Sequence, residues 1–123
     1  MLLNATTQYS LKILFYLKEH SEALVSAKVL SERLDIPYKY LTKILTKLTK
    51  NEYIESIQGR YGGFRLLNGV HIKVEDIVLM EGDDFRQCIM GNGICKERGK
   101  CQLHDSWKEP KKAIIEQLLG HEI

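Results

Sequence analysis

Cys88, Cys95, Cys101 and His104 fall within seventeen residues and spell C-x6-C-x5-C-x2-H. They include every cysteine in the chain. They hang on a loop broken by Gly82, Gly91, Gly93 and Gly99. Glycine lets a loop turn back tightly, so side chains distant in sequence can be aimed at one point. Three soft thiolates and an imidazole converging on one point make a metal site, either zinc or an iron–sulfur cluster. A single cysteine would read as an unrelated buried or exposed thiol. Three of three in one glycine-rich segment beside a histidine read as a centre.

The rest of the composition sets the setting for that centre. At 123 residues the chain is one domain, or one domain with an appendage. That length buries a real core, so the thiols are not needed to staple a miniature scaffold. Residues 11–17 are apolar but interrupted by Lys12, and no small-residue cleavage pattern follows. No stretch reaches the length of a membrane span. The expectation is a cytoplasmic protein with no membrane partner, where thiols stay reduced and ligate metal or sense oxidants. The odd cysteine count points the same way.

Charge is uneven along the chain. Residues 1–70 carry ten Lys/Arg against six Asp/Glu, and residues 71–123 carry eight against ten. The first part therefore suits an anionic partner and the second does not.

The elements that must position these charges follow from pattern. Residues 7–20 read as a helix. Ser26 reads as the N-cap of a short helix to Leu34, with Val29, Leu30 and Leu34 on its apolar face. Pro37 opens a third helix from about Tyr38 to Lys50, because its missing N–H is not needed in a first turn. Residues 53–57, the Gly59-Arg60-Tyr61-Gly62-Gly63 turn and residues 64–67 read as a hairpin. A helix near Val74–Glu81 precedes the cysteine loop and a last helix follows it to about Leu119.

Helix, tight turn, helix, hairpin is the order of a winged helix-turn-helix. The expected fold is mainly α with a small β-hairpin wing and a C-terminal dimerisation helix. Its expected divisions are a DNA-binding domain over 1–81, a cysteine loop over 82–104 and a dimerisation helix and tail over 105–123. On the third helix Leu41, Ile44, Leu45 and Leu48 span an arc of about 100°. Lys39, Lys43, Lys47 and Lys50 span about 80° almost opposite. A lysine face is most often merely solvated. This one is purely basic and follows a helix and a tight turn, the place of a recognition helix. Its lysines would pair with phosphates, while Thr42 and the stems of Lys39 and Lys43 reach base edges. Arg60, at the hairpin tip, would enter the neighbouring minor groove.

The chain resembles the IscR and NsrR type of bacterial winged-helix regulators over residues 1–120. The resemblance is carried by Ile36-Pro37-Tyr38-Lys39-Tyr40-Leu41, by Gly59-Arg60-Tyr61-Gly62-Gly63-Phe64, and by the three cysteines before a final helix. It implies a homodimer on a palindromic DNA operator and an iron–sulfur cluster, 2Fe-2S or 4Fe-4S, on Cys88, Cys95 and Cys101. Aligned on Tyr40-Leu41, the base-reading positions fall on Lys39, Thr42 and Lys43. His104 resembles the histidine that completes the ligand set in IscR. NsrR-like proteins use an acid near position 8 from the other subunit; Gln8 stands here, and no acidic residue occurs before Glu19. The chain also departs from the pattern at Gln58, where related wings often carry arginine, and at Pro110, which falls within the expected terminal helix. Ser106-Trp107-Lys108-Glu109 reads as a capping box that would start this helix at Ser106 and leave Pro110 in its first turn. Trp107, Ile114 and Leu118 would then form a seam for a twofold partner.

Cluster chemistry would make operator affinity responsive to iron, sulfide, oxidants or nitric oxide. A cluster-free regulator that uses its thiols as a redox pair or binds zinc is the neighbouring reading. A zinc-finger RNA-binding module is a reading of another class; it calls for aromatic residues in the loop, and only Phe85 is near. No nucleophile–base pair, phosphate loop or pair of carboxylates in a suitable setting supports an enzyme.

Overall fold

The computed structural model describes residues 2–90, 93 and 101–123. Cys95 lies outside the described residues. The chain divides into two compact units, Met1–Ile72 with Ile123, and Lys73–Glu122.

The first unit is built on three helices and a hairpin. α1 spans Ala5–Glu19 and starts where the Asn4 side chain accepts the Thr7 N–H at 2.8 Å. α2 spans Ala27–Leu34, capped as expected by Ser26, whose hydroxyl accepts the Val29 N–H at 3.2 Å. Of its three expected apolar positions only Leu30 is fully buried; Leu34 is half-buried and Val29 is exposed. An eight-residue helix packed on one side needs only a narrow apolar stripe.

The turn into the third helix is held at both ends. Asp35 adopts the left-handed conformation that ends helices, with φ 53° and ψ 47°. The Ser31 hydroxyl then donates to the Ile36 carbonyl at 2.7 Å, and the Ile36 side chain is buried. α3 spans Tyr38–Lys50. Pro37 stands at its N-cap, where its carbonyl accepts from Tyr40 and Leu41, each at 3.0 Å.

β1, Ile54–Ile57, pairs antiparallel with β2, Gly63–Leu66, in the register Ile54↔Leu66 to Ile57↔Gly63. Glu55 and Arg65 face each other across the ladder and form an ion pair. The turn between the strands needs its glycines. Gly59 has φ +113°, and a Cβ on Gly62 would stand 2.0 Å from the Ile57 carbonyl oxygen. The hairpin is tied to the segment before α2: Val25 and Phe64 exchange N–H···O bonds of 3.0 and 2.8 Å.

The second unit starts with α4, Val74–Met80, where the Asp76 carboxylate accepts the Lys73 N–H at 2.8 Å. The first-turn N–H groups of a helix lack partners within it. Here Val74 donates to the His121 carbonyl and Glu75 to that of Leu119, each at 3.0 Å, so the chain end caps α4.

The start of the last helix differs from expectation. α5 spans His104–Ala113, with Leu103 at the N-cap, so Ser106 lies inside the first turn and caps nothing. The His104 N–H bonds the Cys101 carbonyl at 3.1 Å and the Trp107 N–H bonds that of Leu103 at 2.9 Å. Pro110 therefore sits within the helix body. It lacks the N–H that would have bonded four residues back. The helix also does not run on uniformly. Residues Ile114–Leu118 widen into a π-helical turn, closed by Leu119 N–H to Ile114 C=O at 2.9 Å. The extra residue in the turn accompanies burial of Leu119.

Candidate nucleic-acid interface and metal centre

The two faces of α3 separate as the projection requires. Leu41, Ile44, Leu45 and Leu48 are buried, while Lys39, Lys43, Lys47 and Lys50 are exposed. Tyr38 and Tyr40 flank the helix start, more than half exposed. No acidic residue occurs in α3, so none of its own carboxylates competes for the lysines.

Thr42 is half-buried, and its hydroxyl donates to the Lys39 carbonyl at 3.0 Å. Thr46 and Thr49 make the same kind of bond, to Thr42 and Leu45 carbonyls at 2.9 and 2.7 Å. With its proton engaged, Thr42 presents oxygen lone pairs and a methyl group. It can accept from an exocyclic amine or meet a thymine methyl.

The hairpin stands beside this helix. A groove of about 770 Å³ runs between them, lined by Thr42, Thr46, Thr49 and Lys50 on one side and by Ser56, Gln58 and Gly59 on the other. Gln58 precedes the turn, and its side-chain amide donates to the Ser56 hydroxyl at 3.3 Å. Arg60 and Tyr61 take the two central positions of the turn closed by Gly62 N–H to Gly59 C=O at 3.0 Å. The Arg60 guanidinium lies 5.7 Å from the centre of the Tyr61 ring. The adjacent aromatic is visible in the sequence, but a surface tyrosine carries no signal until the arginine is seen above it.

The thiol site lies in the second unit. Cys88 is 9% exposed and Cys101 half-buried; neither is in a disulfide, and their sulfurs stand 3.5 Å apart. The Cys88 N–H donates to the Gly93 carbonyl. His104 is in the first turn of α5, joined to Cys101 through its backbone. Among the described residues no three His, Cys, Asp or Glu side chains converge, so His104 does not join the sulfur pair as a third donor here.

The spacing of the pair has chemical meaning. Two thiolates on one tetrahedral ion at about 2.3 Å stand roughly 3.8 Å apart. The donor pair thus fits a shared zinc or iron. Closer to α4, Asp84 accepts from Arg86 Nε at 2.9 Å and Nη2 at 2.7 Å, and from the Arg86 backbone N–H at 3.0 Å. These bonds hold the Asp84 carboxyl below the usual carboxylate range.

No helix among the described residues is long and apolar enough to cross a membrane. The family model of Rrf2, described as "Iron-dependent Transcriptional regulator", matches residues 3–123. The protein rrf2 of Nitratidesulfovibrio vulgaris is 33% identical over 122 residues, covering 96% of this chain and 81% of that protein. The HTH-type transcriptional regulator NsrR of Shouchella clausii is 42% identical over 118 residues, covering 86% and 77%. Among solved structures, CymR of B. subtilis superposes with TM-score 0.76 at 21% identity, covering 98% of this chain and 91% of that one. The IscR of T. potens does so with TM-score 0.71 at 24% identity, covering 98% and 81%. Helix-turn-helix, hairpin and terminal helix are thus the shared architecture, and the chain belongs to the Rrf2 family of transcriptional regulators.

Proposed function

We propose that this regulator, which is not an enzyme, reads a palindromic operator as a homodimer. Its operator affinity is set by an iron–sulfur centre on Cys88, Cys95 and Cys101, with His104 as fourth donor. Lys39, Tyr40, Thr42, Lys43 and Lys47 face the major groove and its phosphates, and Arg60 the adjacent minor groove. The observation that carries the DNA part is the exposed, all-basic face of α3 flanked by the hairpin. Support for the dimer comes from the second unit, where Leu79, Ile89, Met90, Leu103 and Leu118 are all exposed. A partner subunit would cover this apolar surface.

The 3.5 Å sulfur pair supports the centre. When bound, a cluster supplies chemistry that responds to iron and oxidants. The chain's own part is to hold the thiolates in register and to link them, through Cys101 and the first turn of α5, to the helix that follows. Zinc on the same donors is the close variant.

The same spacing favours a second reading, a dithiol switch. A disulfide would bring the sulfurs from 3.5 Å to roughly 2.05 Å. Two thiols would give up two protons and two electrons to a peroxide or disulfide oxidant.

Purification without oxygen, followed by iron, sulfide, zinc and free-thiol assay, separates these readings. Stoichiometric iron and sulfide together with altered duplex affinity after chelation supports the cluster. Zinc alone selects the variant. A colourless, metal-free protein whose duplex affinity changes only on oxidation selects the dithiol switch.

A further inference from the structure

We propose that Tyr61 is a positioning residue for DNA recognition: its ring holds the Arg60 guanidinium in place at the wing tip, ready for the minor groove beside the site read by α3. The inference rests on the DNA-reading function proposed above and adds a residue and a device to it.

Tyr61 is 85% exposed, the most exposed large apolar side chain among the described residues. An exposed ring contributes little to a core, so its packing does not account for it. What the ring touches is its neighbour: Arg60 lies over it at 5.7 Å. The backbone enforces the pairing. Arg60 and Tyr61 occupy the two central positions of a turn closed from Gly62 to Gly59, at the end of the ladder that pairs Ile57 with Gly63. The tight path of the turn depends on Gly62, where any side chain would collide with the Ile57 carbonyl oxygen.

A free arginine samples many rotamers, and binding must freeze them. A guanidinium already laid on a ring has lost part of that freedom before DNA arrives. It also presents a flat cation on a rigid tip. That is the shape taken up by a narrow minor groove, whose negative potential is strongest in A·T-rich DNA. Gln58 cannot substitute, since it is uncharged and turned back onto Ser56.

The test is a double-mutant cycle on the full chain. The probe is the tightest duplex that the wild-type protein selects from a randomised library, compared with the same duplex carrying G·C flanks. Tyr61→Leu is expected to weaken binding to the selected duplex about two- to fivefold. Tyr61→Phe, which keeps the ring, is expected to restore it. On an Arg60→Ala background Tyr61→Leu is expected to cost nothing further. In the free protein, the Arg60 side-chain N–H resonance should carry a ring-current shift that Tyr61→Phe keeps and Tyr61→Leu loses.

An equal loss from Tyr61→Leu with and without Arg60 overturns the proposal, since Tyr61 would then act on DNA by itself. Full affinity in Tyr61→Leu overturns it as well. If Arg60→Ala is silent while Lys47→Ala weakens binding, the wing role fails and the DNA function stands. If neither variant matters, the DNA-reading face itself is misassigned.

Discussion

The sulfurs of Cys88 and Cys101 stand 3.5 Å apart although thirteen positions separate them in the chain. The two thiols approach from different supports. Cys88 sits in the glycine-broken segment after α4, and Cys101 immediately precedes the first turn of α5. Any atom that joins these sulfurs therefore also joins two elements of the second unit.

Replacing Cys101 or Cys88 with Ser is expected to abolish the metal content of anaerobically purified protein. The far-UV helical signal should change little, because the buried leucines and isoleucines of α1–α3 lie outside this unit. Metal analysis beside circular dichroism checks both. Full metal retention in either variant removes that residue from the ligand set.

His104→Ala is expected to change the visible absorption and shorten the oxygen lifetime of the loaded protein without unfolding it. Its backbone N–H bond to Cys101 does not need the imidazole. An identical spectrum and lifetime would move the fourth donor to another group, with Gln8 or a small thiol next to test.

The α3 face should divide by depth. Lys47→Ala is expected to weaken binding to specific and scrambled duplexes alike and to lower the salt slope by roughly one unit. Thr42→Ala or Lys43→Ala should cost roughly 1–3 kcal/mol on the specific duplex and less on the scrambled one. Titrations at low and high salt distinguish the two. Equal losses on both duplexes for all three variants would mean that sequence is read elsewhere.

Gly62→Ala is expected to destabilise the protein by roughly 1–3 kcal/mol, the range for forcing atoms into a filled site. The new Cβ would meet the Ile57 carbonyl oxygen, a backbone atom that cannot rotate away. Urea melts measure the loss. A melt indistinguishable from wild type would show that the hairpin turn has room to rearrange.

Arg86→Ala is expected to raise the Asp84 carboxyl toward its ordinary range, as followed by a carbon-detected NMR titration. Because the folded carboxyl is depressed by Arg86, the stability it contributes is present above the unfolded value of about 3.9 and is lost as pH falls through the folded value. Arg86 is exposed, so the effect should be small and shrink with added salt. An unchanged Asp84 titration would assign the depression to something other than Arg86.

Much of the fold was legible because it is written in side-chain types. Four apolar residues at helical spacing located the core face of α3, and Ser26 announced the start of α2. Glycines announced the hairpin. The start of α5 was misread for a related reason. Ser106 and Glu109 have the types of a capping box, yet the first turn is capped by the carbonyls of Cys101 and Leu103, which every residue possesses. The π-helical turn after Ala113 is equally silent, because it is marked by one backbone bond rather than by a residue type. At the thiol site the sequence named the candidate donors. It could not show that Cys88 and Cys101 already approach each other, since loop closure over thirteen residues leaves no periodic trace.

The backbone exchange between Val25 and Phe64 ties β2 to the segment that leads into α2. If α3 and the hairpin tip both engage DNA as proposed, they act as the two jaws of a caliper. A duplex that engages both jaws must bring its major groove and the next minor groove to their spacing. DNA that is stiff or phased differently meets a bending or twisting cost. Base pairs lying between the jaws, touched by no side chain, would then be selected by their pliancy.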